Sequence, residues 1–127
     1  MIFMYHLSLL YKEQVNIMTF ETVYARELAM YVRENDSVVV DIRLPGNYEE
    51  CHWQQAVNLP FEFTDDYEQI LDKEQSIVFY CEHGGSSMQL ARYLGRRGYK
   101  TATVIGGYEA MKKFDEKCLK KSNFVPQ

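Results

Sequence analysis

Apolar residues change their spacing several times along this chain, and each change predicts a new secondary-structure element. Short runs of β-branched, aromatic and other apolar residues predict strands over residues 38–42, 56–60, 76–80 and 101–105. The segments between and around these runs predict helices over residues 22–35, 48–53, 65–71, 87–97 and 108–114, with turns over 44–47 and at the glycine pair 106–107. Thr22 and Asn35 are suitable residues to begin and end the first helix. Alternation of strands and helices with short connections predicts an α/β fold with a parallel sheet flanked by helices.

The two ends of the chain fall outside this alternation. We expect an extension over residues 1–18, one domain over 19–118 and a C-terminal tail over 119–127. The extension is rich in apolar residues, but no basic region precedes them and no small-residue cleavage site follows, so a secretory signal is not expected. It could pack as an added strand or helix, form a homodimer interface, or precede a natural start at Met18. We favour a packed extension because exposing so many apolar side chains to water is costly.

Composition narrows the possible partners and compartment. The 127 residues are 46% hydrophobic and carry a net charge of −4, without a long basic run, so nucleic acid is not an expected partner. No apolar stretch reaches membrane-spanning length, so no membrane association is expected. Cys51, Cys81 and Cys118 are odd in number and match no metal or disulfide framework, which predicts a reducing, cytoplasmic setting. A metal site combining Cys51, His52, Cys81 and His83 is not expected, because the spacing is not a known ligand pattern.

The segment between the strand at 76–80 and the helix at 87–97 carries the clearest chemical signal. It reads Cys81-Glu82-His83-Gly84-Gly85-Ser86-Ser87. The two adjacent glycines allow the backbone to curl with its N–H groups inward, and either serine is a suitable helix N-cap. The cysteine would then lie among amide donors at the positive end of a helix, where an anionic sulfur is stabilised. Two alternatives are a cysteine buried as a small apolar residue and a loop that binds phosphate.

Four segments, taken in order, resemble the rhodanese-like family of sulfurtransferase domains. They are residues 40–43, residues 48–60, the cysteine loop, and residues 98–108 with their Gly-Tyr start and Gly-Gly-Tyr end. The resemblance runs from about Thr19 to Cys118, and the loop is similar to that of small single-domain bacterial thiosulfate sulfurtransferases. It implies a three-layer fold around a central, mostly parallel sheet of about five strands.

The resemblance also implies a reaction. The Cys81 thiolate would take a sulfane sulfur from thiosulfate, a small persulfide or a persulfidated protein, and hold it as a persulfide. An acceptor such as cyanide or a thiol would then remove it, without a metal or an organic cofactor. Backbone amides from Glu82 through Ser87 would bind the outer sulfur, assisted by the hydroxyls of Ser86 and Ser87. The alternative is a non-catalytic binding or regulatory module, although such relatives usually lack the cysteine.

Some positions depart from the family pattern. Cys51 and Gln55 occupy positions that are usually glycine, so that turn could be locally rearranged. Ser86 stands where many relatives have arginine. The loop is short and has no arginine to hold phosphate, which argues against a phosphatase or an arsenate reductase.

Other polar residues have supporting roles to be weighed. Asp41 and Arg43 end a strand, where active-site groups gather in parallel sheets. We expect Arg43 to pair with Glu49 or a nearby carboxylate and to anchor a loop. The resemblance implies that His52 bonds the backbone beneath the loop. His83 could tune the cysteine, contact substrate or simply be solvated.

The charge of the cysteine loop affects which sulfur donor we expect the protein to use. The loop has no lysine or arginine, and Glu82 stands next to the nucleophile. Like charge opposes the approach of a dianion such as thiosulfate. We therefore expect modest activity with thiosulfate and a preference for a protein or low-molecular-weight persulfide.

Overall fold

The computed structural model describes residues 20–114 and 119–121 of the chain. In chain order the elements are β1 (Glu21–Val23), α1 (Leu28–Asn35), β2 (Val38–Asp41), α2 (Pro45–Glu50), β3 (Cys51–Trp53), β4 (Val57–Asn58), α3 (Tyr67–Ile70), β5 (Ser76–Tyr80), α4 (Gly85–Gly95), β6 (Lys100–Val104), α5 (Gly107–Phe114) and β7 (Leu119–Lys121). A short 3₁₀ turn, Ala25–Glu27, precedes α1. The predicted α/β class is confirmed.

The centre of the domain is a five-stranded sheet in the order β1-β6-β5-β2-β4, and every pairing in it is parallel. Two of its strands, β2 and β5, consist mainly of apolar residues because helices cover both faces of the sheet. Side chains alternate between two buried clusters, so that Val39 and Val78 face one cluster while Val40 and Phe79 face the other. Residues of α1 and α5 complete the first cluster, and residues of α3 and α4 complete the second. This arrangement is the three-layer fold that the resemblance implied.

The segment after β2 differs from its prediction. The predicted turn at 44–47 and helix at 48–53 are replaced by α2, which begins at Pro45, and by β3, which pairs antiparallel with β7. Proline suits the first turn of a helix because its missing N–H would have no partner there. At Cys51 the backbone becomes extended, which ends the helix and starts the strand.

The first helix is also shorter than predicted. Thr22 lies in β1, where it is registered with Thr103 of β6, so it does not cap a helix. The helix ends at Asn35 as predicted, and the next residue, Asp36, takes a left-handed conformation with φ of 50°. β1 was missed because a three-residue strand is too short to show a period of its own.

The predictions for residues 1–18, including the homodimer contact, fall outside the described residues, and so does Cys118. Within residues 20–114 and 119–121, no helix is long and apolar enough to span a membrane.

Candidate active site

The candidate site lies where the strand order of the sheet reverses. The chain passes from β2 outward to β4, then returns to place β5 on the other side of β2. In open parallel sheets the carboxyl ends of such neighbouring strands form a crevice that binds ligands. Cys81 directly follows β5, and Arg43 is the second residue after β2. The topology therefore brings two predicted site residues from distant parts of the sequence to one crevice.

Gly84 shapes the cysteine loop. Its φ of 107° lies in the left-handed region, and it is the N-cap residue of α4. The helix therefore begins at Gly85, and neither Ser86 nor Ser87 is the N-cap, contrary to the sequence prediction. A glycine already provides the turn into the helix, so no serine cap is needed.

Two backbone amides point at the sulfur of Cys81. The N–H of Gly84 lies 3.1 Å from Sγ and the N–H of Ser87 lies 3.3 Å from it. Cys81 is only 8% exposed and also packs in the apolar cluster of Phe79 and Leu90. The sulfur nevertheless meets amide hydrogens at the start of an eleven-residue helix, and the residue lines an open cleft. Both the amides and the helix dipole favour negative charge on this sulfur.

A buried pair of hydroxyls stands behind the sulfur. Ser87 Oγ lies 3.4 Å from Cys81 Sγ and 2.7 Å from Thr103 Oγ1. The Ser87 hydroxyl is also 3.3 Å from the carbonyl oxygen of Gly84. Thr103 was not among the predicted site residues, although a hydroxyl within a buried, β-branched strand was a signal that could have revealed it. Ser87 is thereby fixed on the inner side of the loop.

The start of α5 holds the loop from the opposite side. The N–H of Tyr108 donates to the carbonyl of Cys81 at 2.8 Å, and the N–H of Glu109 donates to the carbonyl of Glu82 at 3.1 Å. Gly107 has a φ of 62°, and a Cβ there would lie 2.8 Å from the carbonyl oxygen of Glu82. Only glycine lets the two backbones approach so closely.

Arg43 connects the loop to β2. Its guanidinium bonds to Asp41 through Nε at 3.1 Å and Nη2 at 2.7 Å, and Nη2 also donates to the Cys51 carbonyl at 2.6 Å. Nη1 lies 3.6 Å from the Glu82 carboxylate. Asp41 and Glu82 are thus the nearby carboxylates that Arg43 was expected to find, and Glu49 is not its partner.

The surroundings of Arg43 keep it charged. Burial alone would lower the pKa of Arg43, but the hydrogen bonds and charge of Asp41 outweigh that effect and raise the pKa. The guanidinium also stacks 4.0 Å from the centre of the Tyr108 ring. Burial raises the pKa of Tyr108, and the neighbouring Cys51 side chain raises it further, so the phenol stays neutral.

The two histidines lie in different environments. His52 Nδ1 is 2.7 Å from the carbonyl oxygen of Tyr48, and the two rings stack 3.7 Å apart. Its backbone bond is therefore within its own segment and not beneath the cysteine loop. His83 is exposed and lines the cleft. No group of three or more His, Cys, Asp or Glu side chains within residues 20–114 and 119–121 is arranged to hold a metal ion.

The cleft above Cys81 has a volume of about 590 Å³. Gly85 and Ser86 of the loop line it, and so does Arg43. Phe61 and Glu62, from the turn after β4, complete the rim. This turn was not predicted to be part of the site, because only the folded chain shows that it lies beside the loop.

Comparisons with known proteins agree with this fold. A family model described as the rhodanese-like domain matches residues 24–114. The thiosulfate sulfurtransferase GlpE of Coxiella burnetii is 37% identical over 82 residues, covering 64% of this chain and 77% of that protein. The protein of the same name from Pseudomonas syringae is 34% identical over 84 residues, covering 65% and 79%. A solved rhodanese-like domain protein from Staphylococcus aureus superposes with a TM-score of 0.69 at 20% identity, covering 82% of this chain and 100% of the other. The chain therefore belongs to the rhodanese-like domain family.

Proposed function

We propose that the chain is a rhodanese-type sulfurtransferase in which Cys81 carries the transferred sulfur. The observation that supports this most strongly is the convergence of the Gly84 and Ser87 amides on Cys81 Sγ at the base of an open cleft. The names of the curated relatives, thiosulfate sulfurtransferases, support the reaction class.

In the first half-reaction, the Cys81 thiolate attacks the outer sulfur of the donor. A bond forms between Sγ and that sulfur, while the sulfur–sulfur bond of the donor breaks and its electron pair leaves with the remainder of the donor. With thiosulfate the leaving group is sulfite. The enzyme retains a persulfide anion, and no proton needs to be moved.

In the second half-reaction, a nucleophilic acceptor attacks the outer sulfur of the persulfide. With cyanide the product is thiocyanate, and with a thiolate it is a new persulfide. The bond to Cys81 Sγ breaks, and its electron pair restores the thiolate. The N–H groups of the loop supply the electrostatic stabilisation in both steps. Ser87, fixed by its contact with Thr103, positions one of those donors.

Steady-state kinetics test this function. Initial rates are measured at varied cyanide concentration, at several fixed concentrations of thiosulfate or a persulfide. The double-reciprocal plots should give the parallel lines of a ping-pong reaction. Cys51→Ser should behave like the wild-type protein, because the Cys51 side chain is not among the groups that contact the Cys81 sulfur. Intersecting lines would contradict the mechanism. So would a loss of activity in Cys51→Ser as large as the loss in Cys81→Ser.

The second candidate function is a non-catalytic binding or regulatory module. The presence of Cys81 and the open cleft above it favour catalysis. A binding module would give no sulfite release when the enzyme is mixed with a molar equivalent of thiosulfate. A sulfurtransferase would release, in proportion to enzyme in that single turnover, sulfite from thiosulfate or the donor thiol from a persulfide; a binding module would release neither.

A further inference from the structure

We propose that Glu82 and Glu62 are specificity-determining residues, which make this cleft select a persulfide on a cysteine flanked by basic residues over a small dianion. The inference rests on the proposed sulfurtransferase function and specifies its donor. It follows from three features of the cleft: its balance of charge, the pairing of Arg43, and its apolar rim.

The charge of the cleft is negative. Glu62 and Glu82 line it together with one guanidinium, that of Arg43. Arg43 is already balanced by the fully buried carboxylate of Asp41. Three carboxylates against one guanidinium leave an excess of negative charge, which opposes an approaching dianion and attracts a cationic segment. Two of the loop's amide donors, those of Gly84 and Ser87, are directed at the Cys81 sulfur.

Arg43 offers little to an anionic donor because of its pairing. Nε and Nη2 are occupied by Asp41 and the Cys51 carbonyl, so only Nη1 is directed elsewhere. The Glu82 carboxylate lies 3.6 Å from that nitrogen. Replacing Glu82 by glutamine therefore removes a negative charge and leaves Nη1 without a carboxylate beside it. For this reason Glu82→Gln should change the selectivity between donors more than Glu62→Gln, because Glu62 is exposed to solvent.

The rim of the cleft suits a peptide better than an inorganic ion. Leu44 and Phe61 line it and are 42% and 40% exposed, and Phe63, in the same turn as Phe61, is 69% exposed. Large apolar side chains grouped beside a site indicate contact with another apolar surface. A partner segment with basic and apolar residues around its cysteine fits both features.

The transfer itself is the same exchange described above. The Cys81 thiolate attacks the outer sulfur of the donor cysteine persulfide, and the donor cysteine leaves as a thiolate with the electron pair of the broken sulfur–sulfur bond. The sulfur count and the charge are equal before and after, and no oxidant is required.

Three donors of different charge test the inference. They are thiosulfate and two synthetic cysteine-persulfide peptides of equal length, one flanked by lysines and the other by glutamates. The wild-type protein should use the lysine peptide with a kcat/KM about tenfold higher than the glutamate peptide, and added salt should reduce that ratio. Glu82→Gln should lower the KM for thiosulfate about three- to tenfold and reduce the peptide ratio, with a smaller change in Glu62→Gln.

Glu74→Gln is the matched control, because Glu74 is exposed and lies near the start of β5, at the other end of the sheet. It makes the same change in net charge and should leave the thiosulfate KM and the peptide ratio unchanged. The inference is overturned if both peptides react equally, or if Glu82→Gln and Glu74→Gln behave alike. If no donor loads Cys81, the proposed function itself fails.

Discussion

The two ends of the central sheet each carry a cavity, and only one of them has the groups for sulfur chemistry. The cavity at the amino ends of β5 and β6 is the larger, about 730 Å³, against about 590 Å³ for the cleft above Cys81. Polar groups around the larger cavity bond to one another: the Tyr31 hydroxyl donates to Glu21, and the Gln75 side chain donates to the Asp36 carbonyl. At the carboxyl end, backbone amides are instead directed at a cysteine sulfur. The direction of donors, and not cavity size, identifies the reactive end.

The largest expected loss of activity follows from replacing the nucleophile, Cys81. Cys81→Ser should abolish turnover, because a serine hydroxyl cannot form the persulfide. The free energy of unfolding should change by less than about 1 kcal/mol, since the side chains are nearly isosteric. Sulfur-transfer assays and denaturant unfolding of the same preparation check both statements. Residual turnover in the variant would mean that another residue carries the sulfur.

The next effect concerns the glycine where α5 meets the loop. Gly107→Ala should lower the free energy of unfolding by more than about 2 kcal/mol and remove most activity, because its Cβ would collide with the Cys81 and Glu82 carbonyls. Gly46→Ala is the control, since nothing lies within 4 Å of a Cβ there and the residue is in α2. It should be neutral or stabilise by up to about 1 kcal/mol. Equal stabilities for the two variants would contradict the close approach at the loop.

The two ends of the sheet can also be compared through two ion pairs, one near each end. Arg43→Met should cost about 3 kcal/mol of unfolding free energy, because it leaves the buried Asp41 carboxylate without its partner. Arg97→Met should cost less than about 1 kcal/mol, because its pair with Glu68 is exposed. Denaturant unfolding compares them directly. Similar losses in the two variants would show that the buried pair does not hold the crevice together.

The smallest expected effect concerns two threonine hydroxyls of β6, one that positions a site residue and one with a structural role only. Thr103 contacts Ser87 near the sulfur, whereas Thr101, two residues earlier in β6, donates to the Ala91 carbonyl. Thr103→Val and Thr101→Val should each cost about 1 kcal/mol of unfolding free energy. Thr103→Val alone should also lower kcat several-fold, with little change in KM. A kcat loss of the same size in Thr101→Val would reduce Thr103 to a stability role.

Much of the fold could be predicted because its central strands carry strong local signals. The segments at β2, β5 and β6 are rich in β-branched and apolar residues and are almost entirely buried, so sequence and structure agree there. Prediction failed where elements are very short or depend on distant pairing. β1 has three residues, and β3 is a strand only because β7 lies beside it.

Like the fold, the candidate site has a part that could be predicted from the sequence and a part that could not. The loop of Cys81, Gly84 and Ser87 could be predicted from one continuous segment, since its shape depends on local glycines. The N-cap was assigned to serine because serine side chains commonly cap helices, whereas here a left-handed glycine makes the turn. Thr103 and the pairing of Arg43 with Glu82 come from neighbouring strands, and their positions follow only from the order of strands in the sheet.

The central claim is that the amide-lined sulfur of Cys81 accepts the transferred atom. Peptide mapping by mass spectrometry, after the full chain is loaded with a persulfide donor and freed of excess reagent, tests it directly. We predict one added sulfur on the peptide that contains Cys81, none on the peptide that contains Cys51, and complete removal by cyanide. Sulfur found on Cys51, or on no cysteine of the folded protein, would contradict the account.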